Sequence, residues 1–418
     1  MHPPISAPES AYAWWRLLAS VTLMTLGGVG MYALSVVLPA VQADFGVPRA
    51  AASLPYTLTM IGFGVGGILM GRLADRFGVM LPLLLGAVGL GLGFVVAGMA
   101  SSLWLFMLAQ GLLLGLLGTS ATFAPLVADT SLWFNRKRGI ALAICMSGNY
   151  IAGAAWPPVI QHFTQSAGWR ATYIGIGIFC LLTMLPLALL YRRAPPTLAA
   201  SAVSAADAAV APPTVGLRPL GLHPGTLQAL LIVAGVACCV AMSMPQVHIV
   251  AYCSDLGIGP ARGAQMLSLM LGMGIVSRLA SGWIADRIGG LRTLALGSLL
   301  QGVALLMFLF ADGVVSLFLV SALFGLFQGG IVPSYPLVVR EYFSPAEAGA
   351  RVGTVLMATL FGMALGGWMS GALFDWTGSY RAAFINGMAW NLLNLGIVVF
   401  LLRRGRRLGL RFGRVSVA

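Results

Sequence analysis

Twelve apolar runs, each roughly 20 residues long, fill most of this 418-residue chain. A run of that length crosses about 30 Å of hydrocarbon at about 1.5 Å per residue. The runs fall near residues 16–39, 52–71, 79–100, 103–127, 139–161, 171–191, 226–251, 263–285, 290–310, 314–338, 348–372 and 382–402. Hydrophobic residues make up 59% of the chain and charged residues 8%, and the mean hydropathy is +0.92. Those values lie far outside the range of soluble domains. The expected fold class is therefore an all-α membrane protein of twelve spans. The first run has full length and no convincing cleavage site, so it is expected to stay as the first helix.

The spans form two sets of six because the chain repeats itself. Residues 71–78 read GRLADRFG and residues 282–289 read GWIADRIG, an offset of 211 residues. Other echoes fall at almost the same offset: Pro125 with Pro336, Trp133-Phe134 with Tyr342-Phe343, and WRATY (169–173) with YRAAF (380–384). Four matches in one register mark a tandem duplication. The expected organisation is a six-helix bundle over residues 1–191, a linker over 192–225, a second bundle over 226–402 and a basic tail over 403–418.

Charge sets the expected orientation. With a cytoplasmic N-terminus, nineteen of the Lys and Arg residues fall on the cytoplasmic side and only Arg49, Arg170, Arg262 and Arg381 on the other. That asymmetry follows the positive-inside rule. The formal net charge of +13 then reports topology, and no nucleic-acid partner is expected. The linker is rich in Ala, Pro and Ser and reads as flexible. The tail reads as an anchor for anionic lipid. The five cysteines have no metal-ligand spacing and read as packing residues, so neither a metal nor a cofactor is expected. Small-residue pairs such as Gly62/Gly66, Gly67/Gly71, Gly111/Gly115 and Gly362/Gly366 suit close helix packing in lipid.

Six plus six helices, a central linker and the G-x-L-A-D-R-x-G turn after the second span resemble the major facilitator superfamily over the whole chain. The resemblance implies that Asp75 and Arg76, with their repeats Asp286 and Arg287, act in gating the cytoplasmic side. Val79 and Met80 stand where that family's turn usually continues with a basic pair. A second motif, WFNRKRGIALAICMSGNYIAG (133–153), enters the fifth span. It resembles the signature of the monocarboxylate transporter and oxalate/formate antiporter families. Arg136, Lys137 and Arg138 also serve as a plain charge anchor at the membrane boundary. Of those families' first-span signature only Trp14-Trp15 is similar.

Arg278 is the most informative polar residue inside a span. It lies eight residues before Asp286, roughly 12 Å deep at 1.5 Å per residue. A charge there costs from about 3 to more than about 10 kcal/mol unless it meets a polar cavity or a counter-charge. No acidic residue lies within one helical turn of it; Gly274 and Gly282 occupy the flanking turns. The guanidinium offers a fork to a carboxylate, with helix bracing as the alternative. The resemblance agrees, because monocarboxylate carriers hold their substrate with an arginine in the eighth span.

His248 and Asp255, seven residues apart near the outer end of the seventh span, read either as proton acceptors in an aqueous vestibule or as a histidine bonded to a neighbouring helix and an aspartate capping a helix end. The resemblance tips the expectation toward proton coupling. Bacterial relatives in the family carry a similar His and Asp ahead of the arginine. Weaker substrate-contact candidates are Asn149 in the fifth span, Tyr335 between Pro333 and Pro336 in the tenth, Tyr32 and Thr119. Interhelical hydrogen bonding explains any one of them as well. The eleventh span, Ala348 to Ala372, has no lysine, whereas the related dianion carriers place one there. One cavity cation suits one carboxylate.

Three functions are kept apart. The first is a proton-coupled symporter of a small monocarboxylate, its partners being that acid, a proton and the bilayer. The second is an organic-anion antiporter or drug exporter. The third, a transporter-like receptor, lacks the cytoplasmic domain it would need. Enzyme activity finds no nucleophile, base or metal set, and no obligate protein partner is evident. Short outer loops and the absence of N-x-S/T sequons point to a multi-pass protein of a bacterial inner membrane. With both termini cytoplasmic, single cysteines placed in 192–225 and in the tail should resist impermeant thiol reagents in intact cells. Labelling of either from outside would reverse the topology.

Overall fold

Inside hydrocarbon no water is available to bond backbone groups, so apolar runs of this length become helices that satisfy their own N–H and C=O groups. The computed structural model describes residues 9–134, 137–193 and 219–407. Among them are twelve helices long and apolar enough to cross a membrane. They are α1 (Ala11–Phe45), α2 (Arg49–Phe77), α3 (Met80–Gly98), α4 (Leu103–Trp133), α5 (Gly139–Ala167) and α6 (Trp169–Arg192). The second set is α7 (Pro224–Asp255), α8 (Pro260–Ile288), α9 (Gly290–Phe308), α10 (Val314–Tyr342), α11 (Gly349–Thr377) and α12 (Tyr380–Arg407). Several outlast the apolar runs. At the start of α1 the Ser10 hydroxyl accepts from the Ala13 amide at 3.4 Å, which caps the helix beyond its hydrophobic edge. The greater part of the expected linker, and the tail beyond Arg407, lie outside the described residues.

Three spans are interrupted. α1 breaks at Gly28, between Ala11–Gly27 and Val29–Phe45. α4 passes from a short α-helix into a wider π-helical stretch at Ala109–Thr119, then resumes as Ala124–Trp133. α10 breaks at Gly329 and Gly330, before Ile331–Tyr342. The break lies upstream of Pro333 and Pro336, which both fall inside the second segment. Pro333 sits in the first turn of the new helix, where no amide is needed.

The chain divides into two compact units, Met1–Val37 with Leu58–Pro213, and Leu38–Thr57 with Thr214–Ala418. The second unit thus includes the end of α1 and the start of α2. The duplication recurs inside them as matching local geometry. Gly78 and Gly289 have φ of 81° and 85°, and their amides close α2 and α8 on Ala74 O (2.9 Å) and Ala285 O (2.8 Å). A positive φ explains why each repeat keeps glycine there. The WRATY/YRAAF echo places Arg170 on the Gly98 carbonyl at 3.2 Å and Arg381 on the Leu309 carbonyl at 3.4 Å.

Close helix contact uses part of the glycine set. A Cβ on Gly115 would lie 2.5 Å from Thr59 O, and one on Gly362 the same distance from Val236 O. These contacts draw α4 onto α2 and α11 onto α7. Gly67 and Gly71 face open space, so their spacing does not report a contact. The five cysteines are free and buried.

The first unit also holds a buried charge pair. Arg16 lies inside α1 with its side chain 3% exposed, and Asp129 of α4 is 1% exposed. Nε and Nη2 donate to the two carboxylate oxygens at 2.7 and 2.8 Å. The guanidinium carbon also stands 4.4 Å from the Tyr191 ring centre and 4.9 Å from that of Trp133. Trp133 and Phe134, which open the 133–153 motif, pack on Tyr12 and Trp14. The motif's aromatic pair therefore fastens the start of α1, while Asn135 and Arg136 lie outside the described residues. Asp129→Asn should destabilise the protein by about 3–5 kcal/mol, because Arg16 keeps its buried charge. The double change Arg16→Met/Asp129→Leu should recover most of that loss in detergent thermal melts. A single variant that melts like the parent would remove the pair from the stability of this unit.

Candidate functional site

α8 carries Arg278, which is half-buried. Its neighbours along α8 meet the break in α10. The Ser277 hydroxyl accepts from the Gly330 amide at 3.1 Å, and a Cβ on Gly329 would lie 2.5 Å from Gly274 O. The glycine pair therefore lets the two helices meet backbone to backbone at the level of Arg278. Irregular backbone at membrane depth is tolerated where protein covers it or where it lines a cavity.

His248 and Asp255 belong to one connected network in the second unit, completed by residues the sequence reading did not select. Arg49 is 6% exposed. Its Nη1 donates to Asp255 Oδ2 and to the Tyr380 hydroxyl, both at 2.7 Å. Its Nε donates to Gln42 Oε1 at 2.6 Å, and the Phe374 ring centre lies 4.4 Å from its guanidinium carbon. Asp255 keeps 34% of its side chain exposed. The Arg49 and Ala50 amides donate to the two oxygens of Asp375 at 2.8 and 2.7 Å, so Asp375 caps the start of α2.

His248 is fully buried, rather than open to a water-filled vestibule. Its Nε2 lies 2.8 Å from the Gly367 carbonyl, which only accepts, so Nε2 carries a proton. Its Nδ1 faces the Tyr380 hydroxyl at 3.1 Å. With the ring neutral, Tyr380 donates to Nδ1 and accepts from Arg49. A second proton on the ring would reverse the Tyr380 bond and reach the Arg49–Asp255 pair through one shared hydroxyl.

The remaining candidates sit apart from this network. Tyr335 is fully buried and its hydroxyl donates to Asn394 Oδ1 at 3.1 Å. In the first unit Thr119 is buried against Gly30, Tyr32 is buried, and half-buried Asn149 lies beside Gly28. These three gather around the break in α1. Asp75, Arg76, Asp286 and Arg287 are exposed at the ends of α2 and α8.

A signal for the missed Tyr380 existed in the repeat. Its counterpart Trp169 packs on Phe106 and Tyr173 and has no hydroxyl. A repeated position that changes from indole to phenol marks where the second unit adds polar chemistry. Asp375→Ala should free two amides at the start of α2, a loss of about 1 kcal/mol for a helix cap. Hydrogen exchange at residues 49–53 should then quicken roughly fivefold, since about 1.4 kcal/mol corresponds to a factor of ten. Unchanged exchange there would take Asp375 out of the network.

Comparison with known proteins places this architecture. The family model described as Major Facilitator Superfamily matches residues 20–321 and 279–414. "Monocarboxylate transporter 13" of Rattus norvegicus is 31% identical over 358 residues, covering 84% of this chain and 78% of the relative. The protein of the same name from Bos taurus is 29% identical over 406 residues, covering 94% and 90%. "MFS-type transporter pynF" of Aspergillus niger is 24% identical over 344 residues, covering 81% and 76%. Among solved structures, the peptide transporter POT in complex with sulfate superposes with a TM-score of 0.75 at 13% identity, covering 98% of each chain. A bacterial homolog of the human lysosomal transporter Spinster gives 0.69 at 16% identity, covering 98% of this chain and 100% of that one. These structures show the fold. With twelve spans, internal duplication and a family match along most of its length, this chain belongs to the Major Facilitator Superfamily and is a multi-pass membrane transporter.

Proposed function

We propose that the protein carries a small monocarboxylate together with a proton, by alternating access. The observation that carries this reading is likeness along most of the chain to proteins named monocarboxylate transporters. Arg278 supplies the matching chemistry. It is a cation in an apolar helix, beside broken backbone, and its planar fork fits a carboxylate. The lysine-free eleventh span favours a monoanion over a dianion. Tyr335 is committed to Asn394, which favours packing as its role.

Proton coupling runs through Asp255 and His248. A proton on Asp255 removes the charge that Arg49 neutralises, and a proton on His248 turns the Tyr380 hydroxyl away from it. Either event weakens the network around Arg49, so proton loading and the conformational cycle share one set of bonds. The charge asymmetry favours cytoplasmic termini, and short outer loops without N-x-S/T sequons favour a bacterial inner membrane.

Uptake of labelled monocarboxylates into proteoliposomes, with and without a pH gradient, tests the reading. Arg278→Ala should weaken binding roughly 100-fold, or about 3 kcal/mol for a lost charge-assisted pair. Arg278→Lys should keep slow transport. Asp255→Asn should abolish pH-driven accumulation while sparing acid exchange. A folded Arg278→Ala protein with parental affinity would end the anion-site assignment, and accumulation intact in Asp255→Asn would place coupling elsewhere.

A further inference from the structure

α12 ends in a basic pocket that lies outside the residues assigned to transport above. Phe400, Arg403, Arg404 and Arg407 line a cavity of about 380 Å³. Their spacing of i, i+3, i+4 and i+7 puts all four on one face of the helix. Arg404 is held in place: its Nε donates to Leu220 O at 2.8 Å and its Nη2 to Gly221 O at 3.1 Å. Both acceptors are neutral carbonyls, so they orient the guanidinium without cancelling its charge. No Asp or Glu occurs in residues 219–254 or 376–407, the described stretches that build this corner. Helix-end carbonyls favour cations there, which accounts for arginines but not for a concave pocket lined by three of them.

We propose that this pocket binds the phosphate of an anionic phospholipid. Depth supports a lipid as the source. α12 has 28 residues, about 42 Å at 1.5 Å per residue, against a hydrocarbon thickness of about 30 Å. Its last four or so residues therefore stand at headgroup level. Phe400, one turn earlier and 47% exposed, continues a lipid-facing surface with Leu392 and Leu393, 64% and 45% exposed. A phosphodiester oxygen pair meets the guanidinium forks of Arg403 and Arg407. The glycerol and upper acyl chain lie along Phe400. The bound lipid ties the end of α12 to the Pro219–Gly221 turn through the arginine that already touches it.

Native mass spectrometry of the purified full-length protein, titrated with phosphatidylglycerol or phosphatidylcholine, tests this. The parent should retain phosphatidylglycerol selectively. Arg403→Gln/Arg407→Gln should lose at least about tenfold in that binding, as expected when bidentate charged contacts are removed. Arg406→Gln, off this face, should bind like the parent, and Arg404 is left intact because it holds the turn. Should the double variant melt early, Arg403→Lys/Arg407→Lys keeps the charge without the fork and should bind at an intermediate level. Equal phosphatidylglycerol binding by parent and double variant would overturn the site. An equal loss in Arg406→Gln would reduce it to diffuse charge. Displacement by millimolar inorganic phosphate would assign the pocket to a soluble anion instead of a lipid.

Discussion

In hydrocarbon, every polar group that leaves water must find its partner inside the protein, and each unit is organised around that demand. Arg16 meets it by entering a closed setting of Asp129, Tyr191 and Trp133. Arg49 meets it by spreading its donors over Asp255, Tyr380 and Gln42. The two solutions differ in one respect that bears on function. Asp129 is sealed, whereas Asp255 keeps a third of its surface open. A sealed pair braces helices, and a pair with one open member can exchange a proton with its surroundings.

The same demand explains why the breaks in the spans fall where they do. Interrupting a helix frees amides and carbonyls, which must be satisfied by a neighbour. At α10 the freed Gly330 amide goes to Ser277 of α8, the residue next to Arg278. The arginine and the break thus share one stretch of helix contact, and the glycines that allow the contact are there for want of room. At α1 the break at Gly28 is covered by α5, with Asn149 and Ala152 against it. Polar candidates cluster at such places because broken backbone and polar side chains answer the same shortage.

The duplication shows how one six-helix plan diverged. Arg170 and Arg381 hold equivalent carbonyls, and Gly78 and Gly289 close equivalent helices. Trp169 and Tyr380 begin equivalent helices, yet the first packs among rings and the second links Arg49 to His248. Scaffold positions stayed alike while one hydroxyl gave the second unit a hydrogen-bond chain.

By itself the sequence determined the spans, their number and the repeat, because hydrocarbon thickness and helix rise leave little freedom to a 20-residue apolar run. It also marked Arg278, His248 and Asp255, since ionisable residues are rare in such runs. Only the tertiary structure decided what those residues touch. Arg49 meets Asp255 across 206 positions and Arg16 meets Asp129 across 113, separations at which no local pattern carries information. Gly115 and Gly67 share the same small-residue pattern, yet one is pressed on a carbonyl and the other faces open space. Spacing reports which face of a helix a residue occupies, and packing alone chooses what lies opposite that face.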